Sequence, residues 1–155
     1  MRREWVRDGV AFSRFGERNG PCVLRIGFKT GSAVLTSPTV LIPELIDAQE
    51  AAGLARRAQR GELELAAAVV IAPLRGSPAA VTPDFVEAVD PQWVVLGGRD
   101  GSVERCPRVA GTWEIAAERV YAVVAQGAVT LHLRAGLPPP LARTRRPAGR
   151  PPLAL

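Results

Sequence analysis

A chain of 155 residues is the length of a single domain, and its 47% hydrophobic content allows a buried core, which excludes a wholly disordered protein. The longest apolar stretch, 65–74, is about half of the roughly 20 residues that a membrane-spanning helix needs, and no apolar segment follows the basic N-terminus, so the cytoplasm is the default location. The net charge of +5 is uneven, because residues 137–155 hold four arginines and no acidic residue while the rest of the chain is nearly neutral.

Residues 137–155 also contain six of the 14 prolines and no aromatic residue. This composition predicts a disordered, Pro/Arg-rich tail, which leaves residues 1–136 as the α/β domain. The two cysteines, Cys22 and Cys106, are 84 positions apart and lack CxxC spacing, which excludes a zinc knuckle. Both are predicted to be small core or loop residues, and a disulfide between them stays open.

The first half of the chain predicts strands followed by a helix. Alternating apolar and polar residues predict three strands, over 10–15, 22–28 and 33–36. Turn residues at 29–32 make the last two strands a hairpin, and residues 37–39 are expected to end it. A helix is predicted over 43–60, because Pro43 suits its first turn and Gly61 suits its C-terminal stop.

The second half predicts buried strands, a short helix and a closing hairpin. Apolar runs predict the strands, over 66–71 and 93–96. Between them, Thr82 as N-cap and Pro83 as first residue begin the helix. Glycines indicate a long loop over 97–112, and a hairpin is predicted from 119–124 and 128–134. The fold class is therefore α/β, with a mixed sheet, β-hairpins and two helices.

Eight segments, taken in chain order, are similar to one known family. They lie at 19–26, 33–39, 70–77, 83–91, 94–98, 105–107, 120–121 and 127–131. The segment at 70–77 places an apolar strand before a Pro-x-x-Gly-Ser motif, Pro73-Leu74-Arg75-Gly76-Ser77. Over roughly residues 8–134 the chain resembles the C-terminal, metallo-β-lactamase-like domain of ComEC-type DNA-internalisation competence proteins, of which it covers the carboxy-terminal half.

This resemblance implies half of an αββα sandwich, metal-dependent hydrolysis of phosphodiesters, uptake of single-stranded DNA in natural transformation, and association with the inner membrane. The residues at the implied metal-ligand positions do not fit that chemistry, which needs imidazole and carboxylate groups around a divalent ion. Pro38 stands where an aspartate is implied, Leu74 and Arg75 where paired histidines are implied, and Cys106 where a third histidine is implied.

The remaining ligands are also missing from the sequence. The family's His-x-His-x-Asp-His motif would precede residue 1, and the chain has one histidine, His132. His132 alternates with leucines in the predicted closing hairpin, so a place on the face of that hairpin is favoured over metal ligation. We therefore predict no metal, no cofactor and no catalytic residue.

The sequence thus favours a non-catalytic, degenerate metallo-β-lactamase-like domain related to DNA uptake. Weak contacts with DNA or a partner are expected from the tail and from five residues, Arg75, Gly76, Ser77, Arg99 and Arg105. The expected partners are single-stranded DNA and a membrane-embedded competence channel or missing half-domain. Self-association is a further expectation, because a missing half-domain would leave an apolar sheet face uncovered.

Two alternatives stay open. The chain could be the C-terminal fragment of a split or truncated metal-dependent phosphodiesterase or nuclease of the competence family, completed by an upstream half in trans. It could also be an unrelated structural interaction module. Three tryptophans, Trp5, Trp93 and Trp113, are too scattered in sequence to predict a base-stacking platform.

Overall fold

A seven-stranded mixed sheet forms the centre of the computed structural model, which describes residues 2–7, 9–16, 22–30, 33–43, 45–97, 102–123, 127–130 and 143–145. The strands are β1 (Arg2–Arg7), β2 (Val10–Gly16), β3 (Cys22–Thr30), β4 (Ala33–Pro43), β5 (Val69–Ile71), β6 (Trp93–Leu96) and β7 (Val120–Ala122). Their order across the sheet is the same as their order in the chain. A separate antiparallel pair consists of β8 (Ala128–Thr130) and β9 (Arg143–Arg145).

The sheet changes character at β4. From β1 to β4 the neighbouring strands are antiparallel, and from β4 to β7 they are parallel. Each parallel step is bridged by a helix: α1 (Ala48–Gln59), α2 (Pro83–Val89) and α3 (Ser102–Thr112). Crossovers between parallel strands are right-handed. Because each new strand from β4 to β7 is added on the same side of the previous one, all three helices lie on one face of the sheet.

Two apolar clusters lie on the two faces of the sheet. The cluster on the helical face joins residues of all three helices, such as Leu54, Phe85 and Val109, to the sheet. The cluster on the opposite face contains Val69 and Val95, which are buried although none of α1, α2 and α3 contributes to this cluster. The sequence-based expectation of an uncovered apolar face is therefore wrong for the centre of the sheet.

Several predicted elements are confirmed. The strands predicted at 10–15, 22–28 and 93–96 correspond to β2, β3 and β6. The strand predicted at 66–71 is shorter, since β5 begins at Val69. Thr82 caps α2, with its Oγ1 accepting a hydrogen bond from the Phe85 amide, and Pro83 is the first helical residue. The α/β class is confirmed, and the described residues contain the three helices α1, α2 and α3, one more than predicted.

The boundary between β4 and α1 differs from the prediction. Residues 37–39 do not end the strand, which continues to Pro43 with register shifts against β3. The helix begins only at Ala48, because Asp47 and Glu50 form a capping box in which each side chain accepts a hydrogen bond from the other's backbone amide. Paired carboxylates at this end satisfy the free amides of the first turn, which Pro43 could not do.

The predicted loop at 97–112 is wrong, since α3 occupies Ser102–Thr112. The predicted closing hairpin is also wrong. β7 lies parallel to β6 in the main sheet, whereas β8 pairs with β9, which lies within the tail range 137–155. The other tail residues and His132 lie outside the described residues.

Two further observations bear on the sequence-based expectations. Neither Cys22 nor Cys106 forms a disulfide, and both are half-buried. Within the residues that the structure describes, no helix is long and apolar enough to cross a membrane.

Candidate functional site

A small cleft lies beyond the carboxyl end of β5, where the chain leaves the sheet and α3 packs over it. Its volume is about 210 Å³, and it is lined by Gly76, Ser77, Pro78, Arg105, Arg108 and Val109. The carboxyl edge of parallel strands is where open α/β sheets bind their ligands, because the loops that leave the strands diverge there. This position makes the cleft the first candidate for a functional site.

The floor of the cleft is a strained turn. Residues Pro73–Gly76 form a kinked 3-10 segment one residue after β5, in which Leu74 and Arg75 have non-helical φ values of 42° and 57°. Each non-glycine residue held in this left-handed backbone conformation lowers the stability of the fold by about 1–3 kcal/mol. Such residues concentrate at functional sites. Gly76 follows with a φ of +77°, so three successive residues adopt this conformation.

Gly76 fixes the turn against the core. A Cβ atom at this position would lie 2.6 Å from Cδ2 of Leu96 and 3.1 Å from Cγ2 of Val109. The backbone therefore passes so close to β6 and α3 that a Cβ atom at this position would force the Leu96 side chain to shift. The next residue, Ser77, is thereby held at the mouth of the cleft, where it is half-buried.

Helix α3 supplies the charge of the cleft. Arg105 and Arg108 are three residues apart and therefore lie on neighbouring positions of one helical face, while Val109 and Ala110 face the core. Both arginines are exposed, and neither forms an ion pair with a carboxylate in the described part of the chain. Two guanidinium groups beside one cleft favour an anion, and their planar N–H groups match phosphate oxygens.

The size and chemistry of the cleft restrict what it can hold. Pockets for drug-sized ligands are about 300–1,000 Å³, so a volume of about 210 Å³ suits a phosphate-sized group rather than a whole nucleotide. Across the described residues, the Ser77 hydroxyl has no histidine or carboxylate hydrogen-bonded to it that could act as a base. Among the described residues, the arrangement has the chemistry of an anion-binding site.

The structure brings three of the five predicted contact residues together. Gly76, Ser77 and Arg105 line the cleft, and Arg75 is exposed but does not line it. Arg99 lies outside the described residues. Arg108 is missing from the predicted set, because the sequence pattern around it indicates a loop rather than a helix.

The residues at the implied metal-ligand positions do not converge on a metal. Pro38 is buried in β4, while Leu74 and Arg75 are exposed on the strained turn. Cys106 lies in α3, where burial raises the pKa of its thiol and so disfavours the thiolate that would bind a metal. Among the residues that the structure describes, no three His, Cys, Asp or Glu side chains are grouped as a metal site would require.

A second cleft, lined by acidic side chains, lies at the amino ends of the parallel strands. It has a volume of about 530 Å³, and Glu87, Asp90 and Glu114 contribute carboxylates to its lining. Pro91, which precedes β6, places this cleft at the amino end of the parallel strands. The charged side chains that line the two clefts therefore have opposite signs.

No protein-family model matches the chain, and no curated protein and no solved structure is significantly similar to it.

Proposed function

We propose that this chain is a non-catalytic metallo-β-lactamase-like domain related to DNA uptake, and that its cleft binds phosphate groups of single-stranded DNA. In this proposal the domain is the carboxy-terminal half of an αββα sandwich. The observation on which the proposal depends is the placement of Arg105 and Arg108 beside Ser77 in one phosphate-sized cleft.

The order of elements supports the proposed relationship. The Pro-x-x-Gly-Ser segment, Pro73–Ser77, follows a buried parallel strand and precedes a Pro-initiated helix. The resemblance implies the same succession of strand, motif and helix. The one-sided placement of the helices agrees with a half-sandwich, in which helices cover only one face of each sheet.

The residues at the implied metal-ligand positions, together with those of the cleft, support binding without hydrolysis. A proline and a leucine occupy two of the implied ligand positions, and neither side chain has an atom that could coordinate a metal. Arg75 occupies a third position, and its positive charge opposes a cation. In the cleft itself, the positive charges of Arg105 and Arg108 are suited to a phosphodiester, whose backbone carries one negative charge per nucleotide.

The proposed affinity is low and sensitive to salt. Two arginines can neutralise about two phosphates, and for single strands the logarithm of the binding constant falls by about 0.7 per phosphate for each tenfold rise in salt. A domain of this kind depends on a partner for a high local concentration of DNA. Association with a membrane-embedded competence channel at the inner membrane would supply this high local concentration of DNA. We include that channel as a partner in the proposal.

Fluorescence anisotropy with a labelled 20-nucleotide oligo-dT tests the proposal at low salt. The double variant Arg105→Ala/Arg108→Ala should bind about tenfold more weakly and show a salt dependence reduced by about 1.4 logarithmic units. The matched control is Arg56→Ala/Arg60→Ala, which removes the same charge from α1 and its C-terminus. Equal losses in both variants would show that net charge alone, and not the cleft, attracts the DNA.

A nuclease assay separates the proposal from its catalytic alternative. The purified protein should leave single-stranded DNA intact in the presence of Zn²⁺ or Mn²⁺. Cleavage that disappears on adding a chelator would contradict the non-catalytic assignment.

A further inference from the structure

The hairpin of β1 and β2 carries an exposed aromatic pair. Trp5 lies opposite Phe12, and their rings are stacked with a centroid distance of 5.4 Å and an interplanar angle of 6°. Trp5 is nevertheless 46% exposed. Because Phe12 covers one side of the indole, the exposed surface of Trp5 includes the other side of the ring. An exposed, flat aromatic side chain of this kind can stack on a nucleic-acid base.

Two arginines accompany this pair on the same face of the sheet. Side chains two residues apart on a strand share a face, so Arg3 lies on the face of Trp5. By the same rule, Arg14 lies on the face of Phe12. Arg3 and Arg14 are directly opposite each other, which is unfavourable for like charges, and within the described part of the chain neither forms an ion pair with a carboxylate. A bound anion would relieve this repulsion.

The face that carries these side chains is the one opposite the helices. Phe12 pairs with Ile26, which packs against the apolar cluster of that face. The acidic residue of β1, β2 and β3 is Glu4, and as the neighbour of Trp5 it points to the other face. There its carboxylate accepts a hydrogen bond of 3.0 Å from the buried Ser13 hydroxyl. The two arginines therefore have no acidic neighbour on their own face of these three strands.

The spacing of the two pairs suits one unpaired nucleotide. Arg3 and Trp5 are two residues apart along a strand, which is about 7 Å. A base stacked on Trp5 therefore places its sugar-phosphate backbone within reach of the long arginine side chains, whose planar N–H groups match phosphate oxygens. In a duplex both flat sides of a base are covered by its neighbours, so an aromatic ring of this kind selects a single strand.

We propose that the hairpin of β1 and β2 is a second contact for single-stranded DNA, with a base stacked on Trp5 and a neighbouring phosphate held by the arginine pair. This stacking site consists of Arg3, Trp5, Phe12 and Arg14. The choice of DNA as the ligand rests on the function proposed above, although the stacking site shares no residue with the cleft. The two sites differ in what they contact, because the cleft takes a phosphate alone and the stacking site also requires a base.

Two oligonucleotides of 20 units test the proposal on the full chain without any substitution. Labelled oligo-dT is compared with an abasic oligomer of the same length and charge, by fluorescence anisotropy at low salt. We expect oligo-dT to bind at least about fivefold more tightly, which is the minimum for one stacked base. In NMR spectra, the indole Nε1–H resonance of Trp5 should shift with oligo-dT and stay in place with the abasic oligomer. Equal affinities for the two oligomers would overturn the proposal.

Variants assign the preference for oligo-dT to the stacking site. Trp5→Ala should remove this preference. The matched control is Val6→Ala, which shortens a side chain that is 45% exposed on the opposite face of β1, and it should retain the preference. Arg3→Ala/Arg14→Ala should keep the preference and reduce the salt dependence by about 0.7 logarithmic units, the value for one phosphate. Retention of the preference in Trp5→Ala, or its loss in Val6→Ala, would contradict the placement of the base on Trp5.

The cleft variant keeps this proposal apart from the proposed function. In Arg105→Ala/Arg108→Ala the affinities for both oligomers should fall together, and the preference for oligo-dT should stay the same. If this variant binds like the wild type while the preference persists, the cleft is refuted and the stacking site is supported. If the variant binds more weakly but the wild type shows no preference, the stacking site is refuted and the cleft is supported.

Two further probes test the choice of ligand. Oligo-rU of the same length should bind no more tightly than oligo-dT, and tighter binding would assign the stacking site to RNA. Vesicles of phosphatidylglycerol should leave the Trp5 indole resonance unchanged. Broadening of that resonance by the vesicles, with no shift on adding oligo-dT, would assign the site to an anionic membrane surface. Either of these two assignments would overturn the proposal.

Discussion

Gly76 lies so close beneath Val109 that a methyl group on its Cα would stand 3.1 Å from the valine Cγ2. This contact joins the strained turn after β5 to helix α3, and it holds the two sides of the cleft in one position. The geometry of the candidate site therefore depends on a residue that carries no functional group.

Gly76→Ala is expected to destabilise the protein by about 2–5 kcal/mol, because it adds both left-handed strain and overlap with Leu96. Urea unfolding measures the change. Gly61→Ala is the matched control, since Gly61 also has a positive φ, of +72°, but a Cβ atom added there would meet nothing within 4 Å. The control should lose only about 1 kcal/mol, and equal losses at both sites would refute the packing explanation.

Arg75→Gly is expected to stabilise the protein by about 0.5–1 kcal/mol. Arg75 is exposed and has a φ of 57°, so glycine relieves strain without removing a buried contact. Thermal or urea unfolding tests this, with Arg56→Gly in α1 as the control. That control should destabilise by about 1 kcal/mol, because glycine is unfavourable within a helix. A loss of stability for Arg75→Gly would show that its side chain makes a contribution larger than the strain.

Arg25 and Glu64 form an ion pair whose two partners should contribute very unequally to stability. Arg25 is 3% exposed and donates from Nε and Nη2 to the Ala66 carbonyl, at 3.3 and 3.0 Å, whereas the Glu64 side chain is 66% exposed. We expect Arg25→Ala to cost about 2–4 kcal/mol, since it leaves a cavity and removes buried hydrogen bonds.

Glu64→Gln provides the comparison for that pair and should cost less than about 1 kcal/mol, because solvent screens an exposed charge. Urea unfolding of both variants decides between packing and charge. Similar losses in the two variants would mean that the ion pair itself, rather than the carbonyl contact, anchors the segment before β5.

The thiol of Cys106 gives a prediction for pH. Burial raises its pKa, so the folded protein keeps this proton at pH values where the unfolded chain releases it. The resulting stabilisation is complete below the ordinary thiol pKa of about 8.5 and is lost as the pH rises through the higher folded value. Wild-type stability should therefore fall more between pH 8 and 10 than that of Cys106→Ser, and parallel pH profiles would contradict the prediction.

The start of a helix can be predicted from the sequence where the residues at that end form a specific N-terminal cap. Thr82 and Pro83 identify the start of α2 because a hydroxyl cap and a missing amide act within a single turn. The start of α1 is predicted too early, since Pro43 suits both a first helical turn and the end of a strand. The capping pair Asp47 and Glu50 is the more specific signal.

Strand β1 is absent from the predicted elements, although the sequence contains its signal. Asp8-Gly9 is a two-residue turn sequence between alternating segments, which is typical of the hairpin that β1 and β2 form. The opposite orientation of neighbouring side chains, and hence the separation of Trp5 from Val6, follows only once that hairpin is recognised.

The candidate site is predictable only in part, because one side is a turn with a recognisable sequence motif and the other side is the helix α3, which the sequence does not predict. The motif at Gly76 and Ser77 can be located from its sequence, but Arg108 requires knowledge of α3. Cys106, Val109 and Trp113 recur at helical spacing, yet the preceding glycines and Pro107 favour a loop. Tertiary packing of Val109 and Trp113 into the core outweighs the cost of an internal proline.

The identity of strand order and chain order has a consequence for how the molecule assembles. Every strand of the main sheet from β2 to β7 pairs with the strand made just before it, so no strand waits for a distant segment before it can form hydrogen bonds. Sequence separations between paired strands are therefore short for a sheet of seven strands, which favours rapid folding. During synthesis on the ribosome, the sheet can grow by one strand at a time as the chain emerges.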